Sequence, residues 1–258
     1  MQNRQNLPTL NLPTLSLPIT GTNPMTDNLK IKSIKLGQFG YPTLLGLTNL
    51  PPRELYYIGN LPENISIACI GIRQPTEFGL QVCSKITEVF VNNGFSIISG
   101  LARGIDTQAH KTALKLGGHT VAVVSSGLDI IYPKENTDLF NEIIDSGGCV
   151  ISEYPEGTPV SKTNLLNRNR IITGLSLGTV CMQAKLNGGS IGACKHTLAQ
   201  SRPLFFPAPP EALRLEDESE ANLLFEIDNP LVTRLKSKKD YPKMLSVLDE
   251  VYKKLIGD

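Results

Sequence analysis

Short hydrophobic runs alternate with longer amphipathic stretches from residue 65 to about residue 207. The rhythm predicts strands over residues 66–70, 95–99, 120–124, 149–152, 179–183 and 203–206. It predicts helices over 78–93, 105–116, 136–146, 168–175 and 191–201. The strands are almost continuously apolar, and helices separate them. That combination predicts an α/β fold: a doubly wound, mostly parallel sheet covered on both faces. Ligands of such sheets bind beyond the carboxyl ends of the strands, so the loops that leave the strands are where chemistry is expected.

The flanks have other patterns. Residues 7–20 read LPTLN, LPTLS, LPIT, with proline recurring every fifth position, which excludes helix and central strand. Residues 1–40 are therefore predicted to be a disordered Pro-rich tail, with Met25 as an alternative start. Residues 41–64 carry small apolar clusters suited to packing on a domain edge. The main domain spans 65–210. A C-terminal extension, 211–258, opens with an acidic stretch and ends in an amphipathic helix over 243–256, in which Leu245, Leu248, Val251, Tyr252 and Leu255 share one face.

Composition narrows the function classes. The 258 residues are 40% hydrophobic and 19% charged, with 25 Lys+Arg against 24 Asp+Glu, a net charge of +1. This is neither a disordered acidic chain nor a basic coat for nucleic acid, so any anionic partner must be met by local charge. Trp is absent, which argues against an extended aromatic platform. The five cysteines form no CxxC pair and sit in apolar runs, as buried free thiols of a reducing compartment do. With no apolar run long enough to span a bilayer and no signal-peptide pattern, a cytoplasmic protein that avoids the membrane is expected. No metal, cofactor or catalytic residue is assigned. His110 and His119 have no nucleophile partner, and His110 is expected simply to pack within its helix.

The loops after the strands carry the candidate residues. Gly71 and Arg73 follow the first strand; glycine admits a close approach and arginine can grip a phosphate. Ser99, Gly100, Arg103 and Gly104 lie in the run SGLARGID, where glycines, a hydroxyl and a helix start make an anion site. Asp106 in that run reads as a helix cap. Lys134 lies near a helix start, where the dipole disfavours a cation unless an anion is bound there. Asn167, Arg168 and Arg170 form a basic Asn-Arg-Asn-Arg segment, and Gly188, Gly189 and Ser190 precede another helix. Together they describe a phosphate-rich ligand. If the four charges of Arg73, Lys134, Arg168 and Arg170 converge, each should meet a phosphate.

Gly71-x-Arg73, SGLARGID at 99–106, GLD-x-x-YPKEN at 127–136, SEYPEGTP at 152–159 and NRNRIITGLS at 167–176 resemble the DprA/Smf DNA-processing proteins over about residues 42–207. The resemblance implies an extended Rossmann-like domain that binds single-stranded DNA, forms a homodimer and loads the RecA recombinase during natural transformation. It implies DNA contact at Arg73 and Lys134, a basic segment at Arg168 and Arg170, and a phosphate-facing loop at Ser99, Gly100 and Gly104. Departures from the family pattern fall at Leu165-Leu166, Gln183, Gly188 and Ala208, and no winged helix is expected to follow. The other reading of the residues is a nucleotide-binding sensor, or a nucleoside-monophosphate N-glycosidase of the same sheet type. The glycosidase needs a Glu-Glu pair after its glycine-rich stretch, and residues 188–193 offer none.

Overall fold

The computed structural model describes residues 30–63, 65–185, 188–209 and 229–257. The LPTL repeats and the acidic stretch lie outside the described residues. Among the described residues, nine strands form a single sheet in the order β1-β2-β6-β5-β4-β3-β7-β8-β9. They are β1 (Lys32–Lys35), β2 (Glu54–Gly59), β3 (Ser66–Gly71), β4 (Ser96–Ser99), β5 (Thr120–Val123), β6 (Cys149–Ser152), β7 (Thr179–Gln183), β8 (Leu204–Pro207) and β9 (Val232–Leu235). Strands β6 to β9 in that order are parallel, whereas β1 and β2 run antiparallel at one edge.

Strand alternation sorts the side chains to two faces. Ala68 and Ile70 of β3 face one way, with Val121, Val123 and Cys181, under helices α1 (Thr43–Gly46), α5 (Lys162–Gly174) and α6 (Gly189–Ala199). Ile67 and Cys69 face the other way, packing with Phe90 of α2 (Glu77–Asn92), Ala109 of α3 (Ile105–Lys115) and Leu248 of α7 (Tyr241–Ile256). Helix α4 (Thr137–Asp145) continues that layer through Phe140 and Ile143. Each central strand thus buries both faces, which is why its middle is apolar, with polar residues such as Ser96, Ser99, Thr120 and Gln183 confined to strand ends.

The sheet is wider than the hydrophobic pattern predicts. Strand β1 lies inside the 1–40 span read as tail, β2 inside the 41–64 lead-in, and β9 inside the C-terminal extension. These strands lie at or next to the sheet's margins. In β1 only Ile34 is buried, so there is too little apolar sequence to see. All five cysteines are buried and free. No helix among the described residues is long and apolar enough to cross a membrane.

Candidate functional site

The carboxyl ends of β3, β4 and β5 open into a pocket of about 400 Å³. Its polar wall comprises Arg73, Gly100, Arg103, Ser125 and Arg168, and its apolar wall Ala102, Val124, Tyr132, Pro133 and Leu165. The first loop is set by two glycines. A Cβ on Gly71 would lie 2.6 Å from Ile105 Cγ1, and one on Gly104 would lie 2.4 Å from the Ile72 carbonyl oxygen. Gly104 also has φ +79°, and the Ile105 amide donates to the Ile72 carbonyl at 3.2 Å. The exit of β3 and the start of α3 therefore lie against each other, a contact only glycine permits. This crossing leaves the Arg73 side chain exposed at the pocket wall, with no ion pair or hydrogen bond among the described residues.

The SGLARGID loop is organised by its own acid. Asp106 is buried, and its Oδ2 accepts the amides of Gly100 at 3.1 Å and Ala102 at 3.4 Å. It does not cap α3, whose N-cap is Gly104. Arg168 lies beneath the same loop, 5% exposed, and donates from Nη1 to the carbonyls of Gly100 at 2.7 Å and Val123 at 2.5 Å. A Cβ on Gly100 would come 2.2 Å from Arg168 Nη1, so this glycine makes room for the arginine. Burial raises the Asp106 pKa, opposed chiefly by Arg168; burial lowers the Arg168 pKa, opposed by Asp106. Each charge opposes the burial cost of the other.

The third loop is clamped to the second. Asn136 is buried and donates from Nδ2 to the Leu101 carbonyl at 2.8 Å and to Thr107 Oγ1 at 2.9 Å. The Asp129 carboxylate accepts the Gly157 amide at 3.0 Å, and Ser152 Oγ donates to the Ser126 carbonyl at 2.6 Å. Pro133 consequently reaches the pocket wall, and Lys134 stands exposed next to it.

The structure divides the residues singled out by sequence. Arg73, Gly100, Arg103 and Arg168 line the pocket, and Lys134 adjoins it. The four-charge convergence does not form. Arg168 is buried and gives Nη1 to backbone carbonyls. Arg170 is held bidentately by Glu153, with Nη1–Oε1 2.9 Å and Nη2–Oε2 2.6 Å. Arg103 is exposed and paired with Glu135. Ser99 is fully buried, its hydroxyl donating to the Cys69 carbonyl at 2.6 Å, so it faces no ligand. The Gly100 amide already serves Asp106. Asn167 is exposed on α5, its carbonyl accepting from Arg170 at 3.3 Å. Gly188, Gly189 and Ser190 start α6 outside the pocket wall, where the Gly189 carbonyl accepts from Asn169 Nδ2 at 3.3 Å. Gly71 and Gly104 shape the loops and contribute no wall.

Sequence reasoning missed the apolar wall of Tyr132, Val124 and Leu165, and the acids that neutralise Arg103 and Arg170. Glu135 and Glu153 both lie in the quoted motifs, but nothing in the spacing pairs them with a base. His110 is buried, with Nδ1 2.7 Å from Thr120 Oγ1; burial pushes its pKa down to about 3, so it is neutral at pH 7.

The comparisons agree with this fold. The family model described as DNA recombination-mediator protein A matches residues 32–237. Protein Smf of Synechocystis sp. is 40% identical over 171 residues, which covers 64% of this chain and 43% of Smf. The chain spans about half the length of the curated relatives it matches. The crystal structure of DNA processing protein A from Streptococcus pneumoniae superposes with TM-score 0.71 at 32% identity, covering 83% of this chain and 74% of that one. The protein of that name from Helicobacter pylori, whose structure is described as giving its single-stranded DNA binding mode, superposes with TM-score 0.72 at 26% identity. It covers 86% of this chain and 98% of that one.

Proposed function

Because the chain belongs to the family of DNA recombination-mediator protein A, we propose that it binds single-stranded DNA at the pocket beyond β3, β4 and β5, and that it holds the strand without reacting with it. The observation that carries this reading is the pair of exposed cations, Arg73 at the pocket wall and Lys134 beside it, neither of which has an acidic partner among the described residues. A phosphate completes both. Arg73 offers the fork geometry suited to phosphate oxygens, and Lys134 a mobile point charge. The Arg103–Glu135 pair is exposed to solvent and holds together weakly, so Arg103 can exchange its carboxylate for a phosphate at little cost. The apolar wall gives an unstacked base somewhere to lie, which a duplex cannot exploit.

The buried Asp106–Arg168 pair has a different task here. It fixes the loop that carries Ala102 and Arg103, so the exposed charges are presented from a rigid base. Following the family, the reading extends to a cytoplasmic homodimer that loads RecA onto DNA during natural transformation.

The test is a titration with single-stranded, double-stranded and mononucleotide ligands of equal concentration in phosphate. Preference for the single strand supports the reading. Equal affinity for duplex, or binding confined to the mononucleotide, overturns it, and the second outcome promotes the nucleotide sensor.

A further inference from the structure

We infer that the single-stranded DNA surface does not end at the pocket but continues along the carboxyl edge of the sheet, across an apolar groove at the ends of β7 and β8, to a lysine cluster at the end of β9. The inference rests on the pocket reading and adds a second phosphate-binding region to it.

Register places these features in a row. Gly71 of β3 pairs with Gln183 of β7, and the Ile72 amide donates to the Gln183 carbonyl at 3.0 Å, so Arg73 leaves the sheet directly beside the end of β7. The ends of β7 and β8 form a shallow groove, open to solvent, whose lining includes half-buried Phe78 and the buried Met182, Gln183, Phe206, Pro207 and Pro209. Pro207 of β8 pairs with Leu235 of β9, and the Ala208 amide donates to the Leu235 carbonyl at 2.9 Å. The next residue is Lys236. The groove is thus flanked by Arg73 on one side and Lys236 on the other. Strands β3, β7, β8 and β9 are consecutive neighbours in the sheet. Three strand spacings separate the flanks, about 14 Å, a distance that a few nucleotides of single strand cross.

The cluster itself is poised for anions. Lys236, Lys238 and Lys239 are all exposed, and no carboxylate lies within ion-pair distance of them among the described residues. The one acid in the run is already engaged: Asp240 Oδ2 accepts the amides of Lys236 at 2.7 Å and Ser237 at 2.8 Å. Asp240 therefore shapes the turn that carries the three lysines. Cation, apolar groove and cation in sequence match a strand whose phosphates flank exposed bases. A duplex would meet the lysines but could not fill the groove.

The experiment uses the full chain, fluorescence anisotropy and two labelled oligothymidylates, a tetramer and a 20-mer, over a salt series. The variants are Lys236→Gln with Lys238→Gln and Lys239→Gln, the same three positions changed to Arg, and a control of Lys85→Gln, Lys111→Gln and Lys115→Gln that matches the net charge. For the 20-mer, the log-affinity against log-salt slope of the glutamine triple should be shallower by roughly 2, from ~0.7 per phosphate released. The arginine triple and the control should keep the wild-type slope, and the tetramer should not distinguish any of them. A 20-mer slope unchanged in the glutamine triple, while Arg73→Ala still weakens both oligonucleotides, overturns the inference and leaves the pocket reading intact. An equal fall in the control would reduce the effect to net charge and also overturns it. Failure of the wild-type chain to bind either oligonucleotide removes the pocket reading and the inference with it. Phe78→Ser checks the groove: it should weaken a base-bearing 20-mer more than an abasic one of equal charge, and equal weakening counts against the groove.

Discussion

Arg168 lines the pocket, yet it is buried and serves the protein's own backbone. Its Nη1 holds the carbonyls of Gly100 and Val123, and its charge balances the buried carboxylate of Asp106. Arg168→Met should cost about 1.5–3 kcal/mol, because it leaves the buried carbonyls of Gly100 and Val123 without their donor and removes the charge that opposes the burial cost of Asp106. The combined Arg168→Met and Asp106→Asn variant should cost less than the sum of the two single changes; urea unfolding of all three would measure the coupling. His110 supplies a pH signature. Its folded pKa, about 3, lies below its unfolded value near 6.5, so the unfolded chain binds the extra proton between those pH values. Stability from this group is complete above pH 6.5 and falls as the pH drops towards 3. Between pH 7 and pH 5 it should account for about 2 kcal/mol of lost stability. His119 and His196 are also lowered by burial and act in the same direction. Comparing His110→Gln with wild type by urea unfolding at both pH values isolates the first contribution; an unchanged pH dependence would contradict it.

Among the elements, legibility in the sequence followed burial. The strands of the central sheet were readable because both faces are buried, so their middles are apolar and polar residues fall only at their ends. Strand β9 was not: Val232-Thr233-Arg234-Leu235 buries only Leu235, and it packs at the far margin of the sheet. The loops were located by their glycines, which are dictated by backbone crossings such as Gly104 against Ile72. What the loops do with their charges was not readable. Arg170 meets Glu153 across 17 residues of chain, and Arg168 meets Gly100 across 68. No local pattern encodes such pairings. The consequence is specific: Arg170 is spoken for, so Arg170→Ala should leave the salt slope of DNA binding unchanged within error. It should instead reduce stability modestly by leaving half-buried Glu153 without its partner. A slope flattened by ~0.7 would return Arg170 to the binding set.

At the scale of the whole molecule, the sheet presents its parallel carboxyl edge as one continuous rim, and the proposed chemistry gathers there. The homodimer proposed from the family predicts a sedimenting species of about twice 28.1 kDa at tens of micromolar. A species of 28.1 kDa alone would contradict it. Two copies would double the number of rims available to one strand, which raises effective concentration without any new contact.

The most direct test of the account is the salt dependence of binding to an oligonucleotide short enough to engage the pocket alone. With Arg73 and Lys134 free and Arg103 able to exchange its partner, two or three phosphates should be neutralised, giving a log–log slope of roughly −1.4 to −2 at ~0.7 per phosphate. Arg73→Ala and Lys134→Ala should each weaken binding about tenfold, as a charge-assisted contact of ~1.5 kcal/mol predicts, and each should flatten the slope by ~0.7. An affinity independent of salt and indifferent to both substitutions would contradict the account.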